Sequence, residues 1–532
     1  MKKISAGHWQ LIFLFLFVFF GGWLRFAPTI ISGNVINDGG MFYSMVQELH
    51  DNHYIIPNLV TYNGLNVPFA YPPLPFYMVA MLSDLFGVPF IEIFRWFPAI
   101  VSTLSILAFY LLARTMLKSP ATAVLATGAF AFLPRAYTWF VMGGGVSRAM
   151  GQIFFLLTVW SAYQLFSNKQ VKHVISTCLF GALVALSHPS YCLHTIVICV
   201  ILWLFLDRRA FSRALIVALG VGLLTGPWWL VIVLRYGFGP FLSASQTGGL
   251  STLSWLPLVI PTFAEEQFLT PFTIFGLMGL ASQLIRRKYL LAIFLIIPFM
   301  VDPRSGPSIA VIPLAMLAGI GLNDLVLPSI AAILPSAEGE NELPLHFDWA
   351  ELFATHRSIQ GILAYFLFIA LLGAYAYNQP LAKTIVPETS REALAWVRKN
   401  TPSDSSFIVM TGINDPFADP LQEWFPVFAG RRSVTTVQGR EWELGRDFLS
   451  YYNSLSNLEN CLNSDLACVN KWAEAQNISY DYLFLLKSPP ASKTADFENF
   501  LPLAYSLRNS PDYELVYEMK EVVIFARTHV NR

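Results

Sequence analysis

Charged residues are scarce in this chain of 532 residues. Asp, Glu, Lys and Arg make up 13% of it and hydrophobic residues 55%, whereas soluble domains carry about 25% charged residues. A deficit of this size excludes a chain that is solvated by water alone, and it indicates that lipid covers much of the surface. Acidic and basic residues number 34 each, so the net charge points to no partner, and no nucleic acid is expected as one.

Cysteines are also few, and no pair of them has the spacing of a metal site. Cys178, Cys192 and Cys199 lie in apolar segments and are expected to be small core residues. Cys461 and Cys468 lie in the polar C-terminal part. There, a disulfide closing a small loop and two free thiols are equally consistent with the sequence.

Long hydrophobic runs, by contrast, are abundant. A membrane-spanning helix needs about 20 mostly apolar residues. The first candidate has no small-residue cleavage site after it, so we interpret it as an uncleaved anchor. The predicted fold class is therefore a polytopic α-helical membrane protein with about eleven transmembrane helices. The candidates are 9–27, 96–117, 119–139, 150–167, 172–188, 190–206, 212–234, 269–285, 289–302, 307–327 and 358–378.

Two further apolar segments, 71–87 and 254–263, are expected to lie in the membrane interface. The distribution of Lys and Arg predicts the orientation, because cytoplasmic loops are enriched in both. Basic groups alternate with loops that hold isolated arginines, which predicts a cytoplasmic N-terminus and an extracytoplasmic C-terminus in the cell (plasma) membrane.

The predicted organisation follows from these spans. Residues 1–379 form the transmembrane domain, with a first extracytoplasmic loop at about 28–95 and a cytoplasmic loop at about 328–357. Residues 380–532 have the composition of a soluble α/β domain. The segment from Thr389 to Lys399 begins like a capped amphipathic helix, with Thr389 and Ser390 as the capping residues. Short buried strands are expected at 407–410, 482–486 and 521–525.

The most informative polar residue is Asp38, which follows the first span. This position suits an enzyme that acts on a membrane-bound donor. Asp38 could cap the helix that begins near Gly40, or it could act as a general base toward an acceptor hydroxyl or amine. Gly39 and Gly40 favour the functional interpretation, because they allow another backbone or a ligand to approach closely.

Metal binding is a weaker hypothesis, and no cofactor is required. The segment 50–53 contains two histidines and Asp51, but zinc sites more often space histidines by three or more residues. A divalent ion between Asp38 and Glu265 or Glu266 is no stronger. Glu265 and Glu266, together with Tyr71, are candidates for acceptor or loop residues.

Three basic residues are candidates for binding a donor phosphate on the same membrane face as Asp38. Arg148 ends a glycine-rich segment, 142–148, whose backbone amides and following helix favour an anion; the alternative is a flexible hairpin with an interfacial arginine. Arg304 could bind a lipid phosphate or neutralise Asp302. His188 is a third candidate, although a lone histidine is more often a packing residue.

These features together resemble the GT-C superfamily of integral membrane glycosyltransferases, which includes protein O-mannosyltransferases, aminoarabinose transferases and the catalytic subunit of oligosaccharyltransferase. Asp38 takes the position of the catalytic acidic residue, and Tyr71-Pro72-Pro73 resembles an aromatic-proline element in the first loop. Three C-terminal segments resemble parts of the soluble domain of prokaryotic relatives, namely 393–398 with Thr401-Pro402, 423–426 and 438–442. Many members have a second acidic residue beside the first, whereas here Asn37 precedes Asp38, which favours a general base over a metal site.

The resemblance implies a glycosyltransferase that moves a hexosyl or pentosyl group from a polyprenyl-phosphate-linked sugar to a protein, lipid or glycan acceptor outside the cytoplasm. A lipid or saccharide transporter (flippase) and a non-catalytic assembly protein with the same fold are the alternatives. Against a transporter, the spans hold few ionisable residues and show no pair of matching broken helices.

Overall fold

The computed structural model describes residues 5–246, 270–333, 349–355, 357–487, 501–519 and 521–528. The predicted interfacial segment 254–263 lies outside these residues, as do Glu265 and Glu266.

A helix occurs at each of the eleven predicted spans. Seven of the described helices are long and apolar enough to cross a membrane, and four of the eleven are shorter apolar helices. The helical membrane character is confirmed, whereas the count of eleven crossings and the orientation of the termini stay predictions. The eleven helices run Ala6–Ser32, Phe90–Leu117, Pro120–Phe132, Gly145–Ser167, Lys172–Ala185, Pro189–Leu206, Phe211–Tyr236, Pro271–Ile285, Leu290–Val301, Gly306–Gly321 and Arg357–Leu381.

Arg25 links three helices of the bundle through hydrogen bonds. Its side chain is fully buried. Nε donates to the Ser102 carbonyl at 3.0 Å, and Nη1 donates to the carbonyls of Gly21 and Ala131, each at 2.9 Å. Arg25 thus bridges three helices through their carbonyl oxygens, since a buried charge needs such partners.

The loop after the first helix is folded. Helix Gly40–Asp51 buries Met41, Met45, Val46 and Leu49 on one face, as its amphipathic pattern predicts. Strands β1 (Leu59–Val60) and β2 (Val67–Pro68) pair antiparallel. Helix Leu74–Phe86 follows within the segment predicted to lie in the interface.

The C-terminal part contains a five-stranded mixed sheet. Its strands are β3 (Ser406–Met410), β4 (Arg432–Ser433), β5 (Tyr482–Leu486), β6 (Tyr513–Glu518) and β7 (Val522–Arg527). Their order in the sheet is β4-β3-β5-β7-β6. Strands β3, β5 and β7 confirm the three predicted strands, and β4 and β6 were not predicted. β4 and β5 lie parallel to β3, and β7 pairs antiparallel with β5 and β6.

Helices flank this sheet. The helix predicted from Thr389 to Lys399 runs from Glu388 to Asn400, and Pro387 is its N-cap residue. The predicted capping role is wrong, because Thr389 Oγ1 donates to a carboxylate oxygen of Glu521 instead. The other helices of this part are Pro420–Ala429, Arg440–Leu444, Phe448–Asn460, Leu466–Ala475 and Pro502–Arg508. Of the two alternatives for the polar cysteines, the structure has the disulfide between Cys461 and Cys468.

The two faces of the sheet pack against different partners. On one face, Ile408, Leu483 and Phe525 pack in a core with helices such as Phe448–Asn460. On the other face, Phe407 and its neighbours share one hydrophobic core with the first loop. That shared core includes Met45, Phe69, Phe76, Phe407, Trp424, Phe484 and Ile524. The C-terminal sheet and the first loop are therefore packed as one unit, and the domain boundary at residue 380 stays a prediction.

We expect the protein to lose stability as the pH rises from about 5 to about 8. Burial raises the pKa of Asp419 to about 6 and that of Glu459 to about 8. In this range the folded state binds protons that the unfolded chain has released, so the free energy of unfolding falls with pH. Thermal unfolding in detergent measures this. Glu459→Gln should flatten the upper part of the profile, and a melting temperature that rises across this range would contradict the assignment.

Candidate functional site

The turn that carries Asp38 has an unusual backbone. Asn37 has φ +53° and Gly39 has φ +123°, so two residues of the turn lie in the left-handed region. The helix that follows is capped by Gly39, with no side-chain bond to its N-terminus. The capping interpretation of Asp38 is therefore wrong, and its carboxylate points elsewhere.

The Asp38 carboxylate is held at the start of helix Gly145–Ser167. One oxygen forms an ion pair with Arg148, and Oδ1 accepts a hydrogen bond from the Gly144 amide at 2.9 Å. The positive end of the helix dipole adds to this stabilisation of an anion. The Asp38 side chain is 15% exposed and that of Arg148 22%. The carboxylate is therefore fixed, yet still open to a ligand.

The glycines of the segment 142–148 make this arrangement possible. A Cβ on Gly143 would lie 2.0 Å from the Asp38 carbonyl oxygen, and one on Gly144 would lie 2.7 Å from Asp38 Oδ2. The Gly143 amide also donates to the Ile36 carbonyl at 2.9 Å. Only glycine therefore allows the two segments to come this close.

The sequence predicts an anion-binding site in the segment 142–148, and in the structure the anion bound there is the Asp38 carboxylate. Arg148 also donates to the Trp139 carbonyl at 2.8 Å, and its guanidinium lies 5.6 Å from the centre of the Trp139 ring. The phosphate-binding role of Arg148 stays a prediction.

Tyr71 and His188 lie beside this pair. The Tyr71 hydroxyl is 3.2 Å from Ser147 Oγ, and the two ring centres of Tyr71 and His188 are 6.3 Å apart. Burial raises the pKa of Tyr71 to about 12, and the charges of Arg148 and Arg304 oppose this. The neutral phenol is therefore a hydrogen-bond donor near Asp38. His188 is half-buried, and its buried Nδ1 has no partner among the described residues.

Asp302 and Arg304 do not neutralise each other, so that alternative is wrong. Asp302 accepts a hydrogen bond from Ser190 Oγ at 2.7 Å. Arg304 is exposed, and its guanidinium lies 5.1 Å from the centre of the Phe417 ring of the C-terminal part. It forms no ion pair within the described part of the chain. Its charge acts on both Tyr71 and His188, which places it on the same side as Asp38.

Sequence reasoning missed the role of Glu423. Its Oε1 accepts from the Gly39 amide at 2.7 Å, and its Oε2 accepts from Gln438 Nε2 at 2.9 Å. Trp424 Nε1 donates to the Asn37 carbonyl at 2.8 Å. The available signal was the pair of segments 423–426 and 438–442, which the sequence singles out without assigning them to the site.

Glu441 is a half-buried carboxyl on this side. Burial raises its pKa, and the charge of Arg304 lowers it. One of its oxygens, Oε2, is buried without a hydrogen-bond partner among the described residues. An unpaired buried acceptor is costly, so this oxygen is suited to accept a hydrogen bond from a ligand hydroxyl.

The metal hypothesis gains no support from the described residues, among which no three His, Cys, Asp or Glu side chains are grouped to hold an ion. Asp51 lies at the far end of helix Gly40–Asp51, where His50 Nδ1 is 3.4 Å away. His50 Nε2 contacts Asp84 Oδ1 at 3.0 Å. The structure thus places Asp51 in a surface cluster separate from Asp38.

Comparison with solved structures gives the fold. ArnT from Cupriavidus metallidurans, solved with bound undecaprenyl phosphate, matches over 98% of each chain with a TM-score of 0.58 and 13% identity. The oligosaccharyltransferase AglB from Archaeoglobus fulgidus, in complex with an inhibitory peptide and a dolichol-phosphate, matches over 90% of this chain and 70% of its own, with a TM-score of 0.56 and 14% identity.

This chain has the GT-C fold. The arabinofuranosyltransferase AftD from Mycobacteria also matches over the full length of this chain, which spans 40% of AftD, with a TM-score of 0.53 and 14% identity. No protein-family model matches the sequence, and no curated protein does. The GT-C resemblance expected from the sequence is confirmed at the level of the fold, which identities this low establish alone.

Proposed function

We propose that this chain is a glycosyltransferase of the GT-C type. It transfers a sugar from a polyprenyl-phosphate-linked donor to an acceptor on the extracytoplasmic side, with Asp38 as general base. The observation that carries the proposal is the fixed, partly exposed Asp38 carboxylate, held by Arg148 and the Gly144 amide. The GT-C neighbours solved with undecaprenyl phosphate and dolichol-phosphate support the donor class.

The reaction is a displacement at the anomeric carbon. The acceptor oxygen or nitrogen bonds to this carbon, its proton passes to Asp38, and the bond to the phosphate oxygen breaks. The polyprenyl phosphate leaves with the electron pair, so negative charge develops on it. A fixed cation on the phosphate side and a base on the acceptor side match this flow of charge.

Arg304 is the cation we assign to the phosphate. It is exposed, and no described carboxylate pairs with it. A guanidinium binds phosphate with two parallel hydrogen bonds. Arg148, in contrast, is committed to Asp38 and is assigned to orienting the base. Tyr71 and His188 add half-buried polar side chains near both arginines, whose charges act on each of them.

We expect Arg304→Ala to raise the KM for the lipid donor about tenfold and to lower kcat less, because a phosphate contact is lost. The assay measures undecaprenyl phosphate released from undecaprenyl-phosphate-linked glucose, mannose and arabinose by the full chain in nanodiscs, with protein, lipid and glycan acceptors added in turn. Arg304→Lys should recover part of the affinity.

Arg114→Ala is the matched control, since Arg114 is an exposed arginine at a helix end whose guanidinium contacts the Lys118 carbonyl. An unchanged donor KM in Arg304→Ala would contradict the phosphate assignment. Movement of the intact lipid-linked sugar across the bilayer of proteoliposomes, without release of undecaprenyl phosphate from any of the three donors, would favour the transporter alternative instead.

A further inference from the structure

Glu423 lies between the C-terminal sheet unit and the turn that carries Asp38. Its side chain is 5% exposed. Oε1 accepts from the backbone amide of Gly39, the residue directly after Asp38, at 2.7 Å. The contact therefore joins two parts of the chain that are 384 residues apart in sequence.

Neighbouring contacts hold the same turn from the same helix, Pro420–Ala429. Trp424 Nε1 donates to the Asn37 carbonyl at 2.8 Å, so the residues on both sides of Asp38 are bound. Tyr62 Oη donates to the Glu423 carbonyl at 2.6 Å. A Cβ on Gly40 would lie 2.5 Å from that carbonyl oxygen, so the helix and the turn are in direct backbone contact.

We propose that Glu423 is the positioning residue for Asp38 and that it fixes the backbone of the turn through the Gly39 amide. Arg148 and Gly144 hold the carboxylate itself, whereas Glu423 holds the peptide that carries it. This assignment rests on the proposed role of Asp38 as general base. It gives the C-terminal unit a direct part in catalysis, beyond any binding of the acceptor.

Glu423 is suited to this role as a neutral acid. The charged and titratable groups that face it are Asp38, Arg148 and Tyr62. Burial raises its pKa to about 8, and the negative charge of Asp38 acts in the same direction. A neutral Glu423 leaves Asp38 as the only anion of the pair near pH 7.

Gln438 can serve both protonation states of Glu423. Toward the ionised acid it donates through Nε2 at 2.9 Å, and its Oε1 is then buried without a partner among the described residues. If its amide rotates by half a turn, Oε1 faces Glu423 and accepts a hydrogen bond from the protonated carboxyl group. Loss of that proton would place a second negative charge beside Asp38. Repulsion between the two carboxylates would disturb the turn that Glu423 positions. We therefore expect the activity to fall as the pH rises past about 8.

Three variants of the full chain in nanodiscs test this inference. Glu423→Ala removes the acceptor of the Gly39 amide. Glu423→Gln keeps a carbonyl oxygen for that amide and removes the titration. Glu459→Gln is the matched control, because Glu459 is also a buried carboxyl that accepts backbone amides, with Gly412 at 2.7 Å. The measurements are hydrogen exchange of peptides covering residues 36–46 and the pH dependence of undecaprenyl phosphate release.

In Glu423→Ala we expect hydrogen exchange in residues 36–46 to be at least about tenfold faster. We expect kcat to fall about 30-fold or more, because small displacements of a catalytic group are costly. The KM should stay within about threefold of the unmodified protein. Glu423→Gln should restore slow exchange and most of kcat, and it should lack the alkaline fall of the unmodified protein. Glu459→Gln should leave exchange and kcat unchanged.

Unchanged exchange and kcat in Glu423→Ala would overturn the inference, as would an alkaline fall that persists in Glu423→Gln. These outcomes are distinct from failure of the proposed function. Full activity in Asp38→Asn would refute the general base, whereas faster exchange in Glu423→Ala would still show that Glu423 holds the turn.

Discussion

Asp38→Asn is expected to lower the rate of donor consumption by about 10³-fold, with the donor KM changed less than about threefold. A positioned general base contributes roughly 10²–10⁴ to a rate. Asparagine has nearly the same shape, and its carbonyl oxygen can still accept from the Gly144 amide, but it cannot take the acceptor proton. The loss should therefore appear in kcat, measured as undecaprenyl phosphate released by the full chain in nanodiscs.

The control for this variant is Asp84→Asn, another carboxylate of the first loop, which contacts His50 and Tyr54 at the surface. It should retain activity within about twofold. Asp38→Asn leaves Arg148 without its anionic partner, so its folding is checked by thermal unfolding. Full activity in Asp38→Asn would exclude Asp38 as the base and would favour the non-catalytic or transporter alternative.

Gly143→Ala is expected to reduce activity about 100-fold and to lower the melting temperature. The added methyl carbon would lie 2.0 Å from the Asp38 carbonyl oxygen, and backbone is the least adaptable neighbour. The turn and the start of helix Gly145–Ser167 would have to separate, which would displace Asp38 from the Gly144 amide. A shift of about 1 Å in a catalytic group is enough for a loss of this size.

Gly222→Ala provides the comparison, because a Cβ there meets nothing within 4 Å and the residue lies inside helix Phe211–Tyr236. It should leave activity unchanged and stability unchanged or slightly raised, since alanine favours helix. Activity in Gly143→Ala at the level of Gly222→Ala would contradict the close packing of the two segments as a requirement for catalysis.

Much of the architecture could be predicted because its signals are local. Each of the eleven predicted spans contains a helix in the structure, and Phe407, Leu483 and Ile524 lie in strands that their short apolar runs predicted. Counting the spans predicted that Asp38 and Arg148 lie on the same membrane face. It did not predict that their side chains form an ion pair.

The rest depends on contacts that no local pattern encodes. Asp38 has the sequence context of a helix cap, and only the approach of the segment 142–148 draws its carboxylate away. The pairing of Gly39 with Glu423 likewise requires the C-terminal sheet to pack on the first loop through a shared core. Strand β4 is two residues long and carries too little periodicity to be recognised.

The most direct test of the central claim, a lipid phosphate site that faces a fixed carboxylate, is a structure of the full chain in nanodiscs with undecaprenyl phosphate added. We expect phosphate density within hydrogen-bond reach of the Arg304 guanidinium, with the Asp38 carboxylate still bound to the Gly144 amide. Phosphate density remote from Arg304, or an Asp38 side chain turned away from Arg148, would contradict this expectation.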